Sequence, residues 1–279
     1  LVYESARNGW VTVKHAPKNL NNNNRGTVSG YTSGGINPTP TRLDTIDKFP
    51  FAVDTNATDV GDLTQARNGL GGQSSTVSGY SSGGSPPGVS DIIDKFPFAV
   101  DTNATDVGNL FLARNGVASQ SSSVSGYTCG GYATPTGTAG NVTIDKFPFA
   151  VDANATDVGD LTQARQSVAG QSSTVSGYSS GGSAPPFVNT IDRFPFATDA
   201  NATDVGDLTQ ARTEVAGQSS TTSGYTSGGS APPFATTIDK FSFASDGNAG
   251  DVGDLTQARN QTAGQSSLVS GYTSAGSIN

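Results

Sequence analysis

Residues 190–236 read TIDRFPFATDANATDVGDLTQARTEVAGQSSTTSGYTSGGSAPPFAT. The wording returns along the chain: Phe51, Phe98, Phe149, Phe196 and Phe243 stand in one motif at intervals of 47, 51, 47 and 47 residues. Arg67, Arg114, Arg165, Arg212 and Arg259 keep those intervals, and Tyr31, Tyr80, Tyr127, Tyr178, Tyr225 and Tyr272 nearly so. Whole modules are duplicated, and a period near 50 residues sets the architecture before any single residue is considered. The units fall at about 45–91, 92–142, 143–189, 190–236 and 237–279 within one domain, 1–279, in which 1–44 is an incomplete unit containing an insertion.

The period is too long for leucine-rich, ankyrin or tetratricopeptide units, and no stretch sustains apolar residues at helical spacing. Each unit instead offers four short runs bounded by turn residues. In one cycle they are Val215–Ser223, Tyr225–Ser227 closed by Gly228 and Gly229, Thr237–Ala244 with Phe241 and Phe243 on one face, and a run around Asp251–Leu255. The last follows a turn of Asp246, Gly247 and Asn248, residues whose side chains bond the backbone just ahead or that tolerate the turn without strain. Four short antiparallel strands per unit make the blade of an all-β propeller, in which a ring of blades leaves no long exposed edge.

Six Gly-Tyr hairpins stand against five copies of the IDKF or IDRF segment. This predicts six blades of four strands, closed by N- and C-terminal pairing: Leu1–Arg7 (LVYESAR, ending like LTQAR) completes a blade begun by Gly264–Gly276. The GQSS run is expected innermost, with Gln73, Ser75, Gln171, Ser173, Gln218 and Ser220 lining a water-filled channel. Pairs such as Phe96 and Phe98 are expected to fill the layers between blades, and Arg67 and its equivalents to satisfy carbonyls or pair with Asp.

GYTSGG, IDKFPFA and DVGDLTQAR occupy the places of the double-glycine strand end, the third strand and the arginine of the kelch repeat, which the chain resembles from about Thr27 onward. It departs from that family in lacking the tryptophan of the fourth strand and in carrying Phe where the third strand usually has Tyr. The units are also similar to repeats in virion proteins of marine tailed phages and related viruses. The resemblance implies a kelch-like β-propeller serving as a structural or fibre component, outside the cell or on the virion surface.

A net charge of −8 with Lys and Arg scattered about once per unit excludes a phosphate-binding surface, and so a nucleic-acid partner. No apolar run reaches the length of a membrane span. One His and one Cys, His15 and Cys129, exclude a Cys/His zinc cluster and a repeated nucleophile–base pair, so the chain is read as non-enzymatic. Cys129 stands where sister units have Ser82, Ser180 and Ser227 and is read as a tolerated small residue. The stretch Asp54–Asp62 (DTNATDVGD) brings Asp54, Asn56, Asp59 and Asp62 close together. Oxygen ligands of that kind suit Ca²⁺, but no Gly stands at loop position six as in an EF-hand, so a turn held by its own Asx side chains is preferred and calcium kept as the one cofactor reading. Glycosylation sequons occur at Asn56, Asn103, Asn141, Asn154, Asn201 and Asn260.

Variation between units collects after the double glycine and after the arginine, two loop types that a propeller puts on one face. The long insertion joins them there: Arg7 to Tyr31 spans 24 residues, Arg67 to Tyr80 only 13. Loops on a rigid scaffold carry recognition, so Trp10, His15, Phe187 and Phe234 are the candidate binding residues. The expected function is attachment to protein partners in a larger assembly or to host-surface glycans. The alternative is a secreted carbohydrate-binding lectin, against which Phe187 and Phe234 appear in only two of the five variable loops.

Overall fold

The computed structural model describes residues 28–37, 41–133 and 140–278, and the backbone of 2–4 and 9–11. Near the N-terminus, β1 (Val2–Glu4) pairs with β2 (Gly9–Val11). A three-stranded sheet follows: β3 (Ser29–Ile36), β4 (Arg42–Pro50) and β5 (Thr58–Asp62). The next sheet has four strands, β6 (Gly71–Ser74), β7 (Ser78–Ser82), β8 (Ile92–Pro97) and β9 (Thr105–Asn109). Its successors are β10 (Ala118–Ser121), β11 (Ser125–Cys129), β12 (Asn141–Pro148) and β13 (Thr156–Arg165); then β14 (Ala169–Ser172), β15 (Ser176–Ser180), β16 (Thr190–Pro195) and β17 (Thr203–Asp207). A fourth such sheet holds β18 (Ala216–Ser219), β19 (Ser223–Ser227), β20 (Thr237–Ser242) and β21 (Gly250–Asp254). The hairpin β22 (Ala263–Ser266) and β23 (Gly271–Ser274) comes last.

The sheets are antiparallel meanders, each paired in sequence order, and together they form a β-propeller. First strands contact one another from β6 to β10, β14, β18 and β22, and β22 reaches β3, so the GQSS strand is innermost as expected. Among the described residues there are five blades, one of them three-stranded; the sixth place carries only the β22–β23 hairpin. β1 pairs with β2, and a pairing of the N- and C-termini is not among the strand pairings of the described residues.

The core is divided into layers between blades. Tyr80, Ile93 and Leu110 of one blade close on Phe147 and Ala155 of the next, and the same five residue types recur in the other layers. Pairing register explains the invariant Gly of the Gly-Tyr motif. Gly79 lies directly opposite Phe96, whose ring lies across it so closely that a Cβ on Gly79 would stand 2.3 Å from Phe96 Cζ. The double glycine is a backbone requirement: Gly83 and Gly84 have φ of +66° and +104°, and Gly84 N–H donates to Arg114 O of the following segment.

One expectation about the axis is overturned. Gln73, Gln171 and Gln218 are buried, as are Ser75 and Ser173, and each Gln reaches the next blade: Gln73 Nε2 donates to Tyr127 O and Thr128 Oγ1, both at 2.9 Å. Strand side chains alternate, so with Gln between blades the alternate set, Gly72, Ser74 and their equivalents, faces the axis. There the strands stand so close that Ser74 N–H donates to Ser121 Oγ, Ser121 N–H to Ser172 Oγ and Ser172 N–H to Ser219 Oγ.

Phe194 is 1% exposed, whereas Phe196 is half-buried and stacks on Tyr127 at 4.9 Å. Phe194→Ala is expected to lose ~3–5 kcal/mol and Phe196→Ala clearly less. Urea unfolding of the two variants checks this; equal losses would mean that the layer is not built around the first Phe.

Candidate functional site

Two polar systems hold the blades in place. Arg67 is anchored by its backbone to the first blade, its N–H donating to Leu43 O and its carbonyl accepting from Gly35 N–H. Its side chain crosses into the second blade, where Nη2 donates to Ser81 O and meets Asp94 Oδ2 at 3.1 Å, both side chains fully buried. Thr64 adds its N–H and hydroxyl to the same carboxylate. Arg114–Asp145, Arg165–Asp192 and Arg212–Asp239 repeat the pair, in line with the structural role expected for these arginines. Burial pulls each guanidinium below its ordinary pKa and the facing carboxylate raises it again.

The second system lies at the end of the blade that carries the NATD turn. Asn103 Oδ1 accepts from Asp62 N–H of the preceding blade, and Asn154, Asn201 and Asn248 do the same. Lys48–Asp101, Lys95–Asp152, Lys146–Asp199 and Arg193–Asp246 cross the same junctions, exposed pairs of small individual worth. The positions equivalent to Asp54 and Asn56 are therefore joints between blades. Asp59 closes its own turn by accepting from Gly61 N–H. Among the described residues no three His, Cys, Asp or Glu side chains stand together as metal ligands, so Asp54, Asp59 and Asp62 do not converge. Of the sequons, Asn260 is buried and donates Nδ2, the atom a glycan would occupy, to Glu214.

The variable loops do share one face. Bridges Asn68↔Ser85, Asn115↔Tyr132, Gln166↔Ser183, Thr213↔Ser230 and Asn260↔Ser277 join each post-arginine segment to the following post-glycine loop. A backbone ladder runs from blade to blade beneath them: Gly116 N–H donates to Gly69 O, Ser167 to Gly116, Glu214 to Ser167 and Gln261 to Glu214. Phe187 and Phe234 lie in this region but are half-buried, bridged back to Ser183 and Ser230, while Pro185, Pro186, Pro232 and Pro233 beside them are exposed. Trp10 stands in β2 opposite Tyr3, and His15 lies outside the described residues.

Sequence reasoning missed a feature of the other face. Val28, Val77, Val124 and Val175, at the turn between first and second strands, and Val53, Val100 and Val151, beside the NATD turn, are all exposed. The two turns adjoin, since Phe51, Phe98, Phe149 and Phe196 N–H donate to the carbonyls of the first four. Where the arc ends, Thr222, Thr198 and Ser245 take the same places. The TV dipeptide before SGY was the available signal.

No family model matches the chain, and comparison with characterised proteins finds no significant relative. The β-propeller stands on its geometry, and neither the kelch-like assignment nor the virion association gains support from these comparisons. No helix among the described residues is long and apolar enough to cross a membrane.

One junction differs from its sisters. Phe111 replaces the Thr of LTQAR and is 65% exposed; its N–H still bonds Asp145 Oδ2, but Oδ1 is left without a partner among the described residues. Burial pushes the Asp145 carboxyl above its ordinary value, and Arg114 pulls it back only in part. Between the ordinary and the raised value the folded chain holds a proton that the unfolded chain has released, so ionised Asp145 costs stability above that window and the cost is relieved as pH falls through it. Phe111→Thr is expected to gain ~1 kcal/mol at neutral pH by restoring the hydroxyl bond, with the gain shrinking on acidification. Urea unfolding across that range checks both; an unchanged midpoint counts against the reading.

In the next layer, which ends on Phe194 and Ala202, Cys129 takes the Ser place, donating to Gln120 Oε1, and burial pushes its thiol up to about 12. A thiol reagent is therefore expected to label Cys129 only in denaturant; fast native labelling would mean that this blade opens.

Proposed function

We propose that the chain is a non-enzymatic scaffold for attachment, a structural component of a virion-surface, fibre or other extracellular assembly that engages a protein or host-surface partner through its loop face. The observation that carries this reading is the distribution of change between units. Strands, Arg–Asp pairs and NATD joints are kept nearly letter for letter, while most of the change collects in the bridged loops after the double glycine and the arginine. Drift concentrated on one face of a duplicated frame is the pattern of a recognition surface, and Pro in those loops lowers the ordering cost of binding. The acidic balance favours protein or glycan over nucleic acid.

The arc of exposed valines favours a second reading, in which the NATD face docks. Single exposed valines need no explanation, but a run repeated blade after blade marks a contact surface.

Loop swaps and valine changes separate the two. Grafting the SAPPF loop of residues 183–187 in place of 85–89 is expected to weaken capture of the partner assembly at least about tenfold, while Val77→Ser, Val124→Ser and Val175→Ser together leave it unchanged. The reverse result assigns docking to the valine face, and capture blocked by free sugar identifies the ligand as glycan.

A further inference from the structure

The segment that carries the frame arginine reads DLTQAR in four of its five copies, at 62–67, 160–165, 207–212 and 254–259, and NLFLAR at 109–114. Asn109, Phe111 and Leu112 stand for Asp, Thr and Gln, so three changes within four residues each remove charge or polarity. They fall at the loop face: Leu110 N–H donates to Asp91 O and Arg114 N–H to Ser90 O, at the end of the variable loop 85–91. There Phe111 is 65% exposed, Asn109 is exposed and Leu112 is half-buried.

The change breaks a contact that the sister junctions keep. Thr64, Thr162 and Thr209 lie exposed with their hydroxyls on the Oδ1 atoms of Asp94, Asp192 and Asp239 at 2.6, 2.7 and 2.6 Å, so that oxygen lies one hydroxyl's depth below the surface. At 109–114 the carboxylate keeps its other bonds, Oδ2 accepting from Phe111 N–H and meeting Arg114 Nη2 at 3.1 Å. Asp145 is 0% exposed, and its Oδ1 has no partner among the described residues. An orphaned buried acceptor costs stability, and a local rule broken with no compensating contact inside the fold is the mark of a functional position.

We infer that this edge of the loop face is a sugar-binding subsite, in which a hexose unit of a surface glycan lays its C–H face on the Phe111 ring and donates a hydroxyl to Asp145 Oδ1. The place left open is that of a hydroxyl, as the three threonines show. A cationic group is the poorer occupant, because Arg114 already neutralises the carboxylate and a second cation would meet like charge. An aromatic face beside a hydroxyl acceptor matches the apolar C–H and polar O–H groups that a sugar presents together. Leu112 adds apolar surface where sister units have Gln, and Asn109 offers an amide that donates as well as accepts, where Asp would only accept. The subsite rests on the reading of loop-face attachment and names its partner chemistry.

The probes are the methyl glycosides of glucose, galactose, mannose and N-acetylglucosamine, titrated into the full chain by saturation-transfer NMR. Saturable binding of at least one is expected, weakened at least about tenfold in Phe111→Thr and kept in Phe111→Tyr. Phe111→Thr is also the change expected to raise stability, so affinity and stability move in opposite directions, which a purely structural part for Phe111 would not produce. No saturable binding of any of the four, or affinity unchanged in Phe111→Thr, overturns the proposal. Capture of the partner assembly that falls in Phe111→Thr without any sugar binding assigns the patch to a protein and overturns the choice of a glycan. Loop grafts that leave capture unaltered sink the loop-face reading while this titration still stands.

Discussion

A guanidinium rooted in one blade and neutralised in the next is the constraint around which the described blades are arranged. Arg67 hangs by its own backbone from β3 and β4, and its charge ends against Asp94 in β8 with both side chains out of solvent. Desolvation offsets much of the attraction in such a pair, so its net worth over an apolar filling is small. What it fixes is position. An Arg seated elsewhere would leave an uncompensated buried charge, so adjoining blades are held to one separation and one rotation. The Asn103 acceptor at the NATD end binds the same pair of blades at another point, and the Gln73 bridge near the axis binds the second blade to the third.

With orientation set, the aromatic layers follow. A thin blade cannot bury both faces by itself, so Tyr, Ile and Leu of one blade and Phe and Ala of the next make a core only when stacked. Stability then accrues interface by interface, as in other repeat architectures. Each layer is made by two adjoining blades, as where Tyr80, Ile93 and Leu110 close on Phe147 and Ala155. The loops, bound by bridges and a backbone ladder but carrying no part of the layers, are free to drift in sequence.

Much of this was legible in the chain. The 47-residue period, the double glycine and the alternating Phe pair gave a four-stranded blade with GQSS innermost; three of the four strand limits fell within a residue or two of those observed, while the first run, expected over Val215–Ser223, ends at Ser219 where the turn begins. The arginine's structural part was also readable, since a cation repeated once per unit amid Gly and Ser suggests a frame more than a ligand. Less was legible of the candidate site. Shared placement of the two loop types could be inferred from meander topology, but the half-buried state of Phe187 and Phe234 could not, because it depends on a loop folding back on Ser183 and Ser230.

The sequence by itself determined the repeat, the strand order and the turn chemistry, all of which are local: glycine φ, side-chain alternation and Asx bonding act within a few residues. Only the tertiary structure decided which blade each side chain serves. Gln73 turns between blades instead of toward the axis, Asn103 joins two blades through its side-chain oxygen, and the Gly of Gly-Tyr makes room for a Phe ring across the sheet. Each is a contact between residues about 17 to 55 positions apart, set by the register and closeness of stacked strands, and a pattern along one strand carries no record of what the neighbouring strand presents.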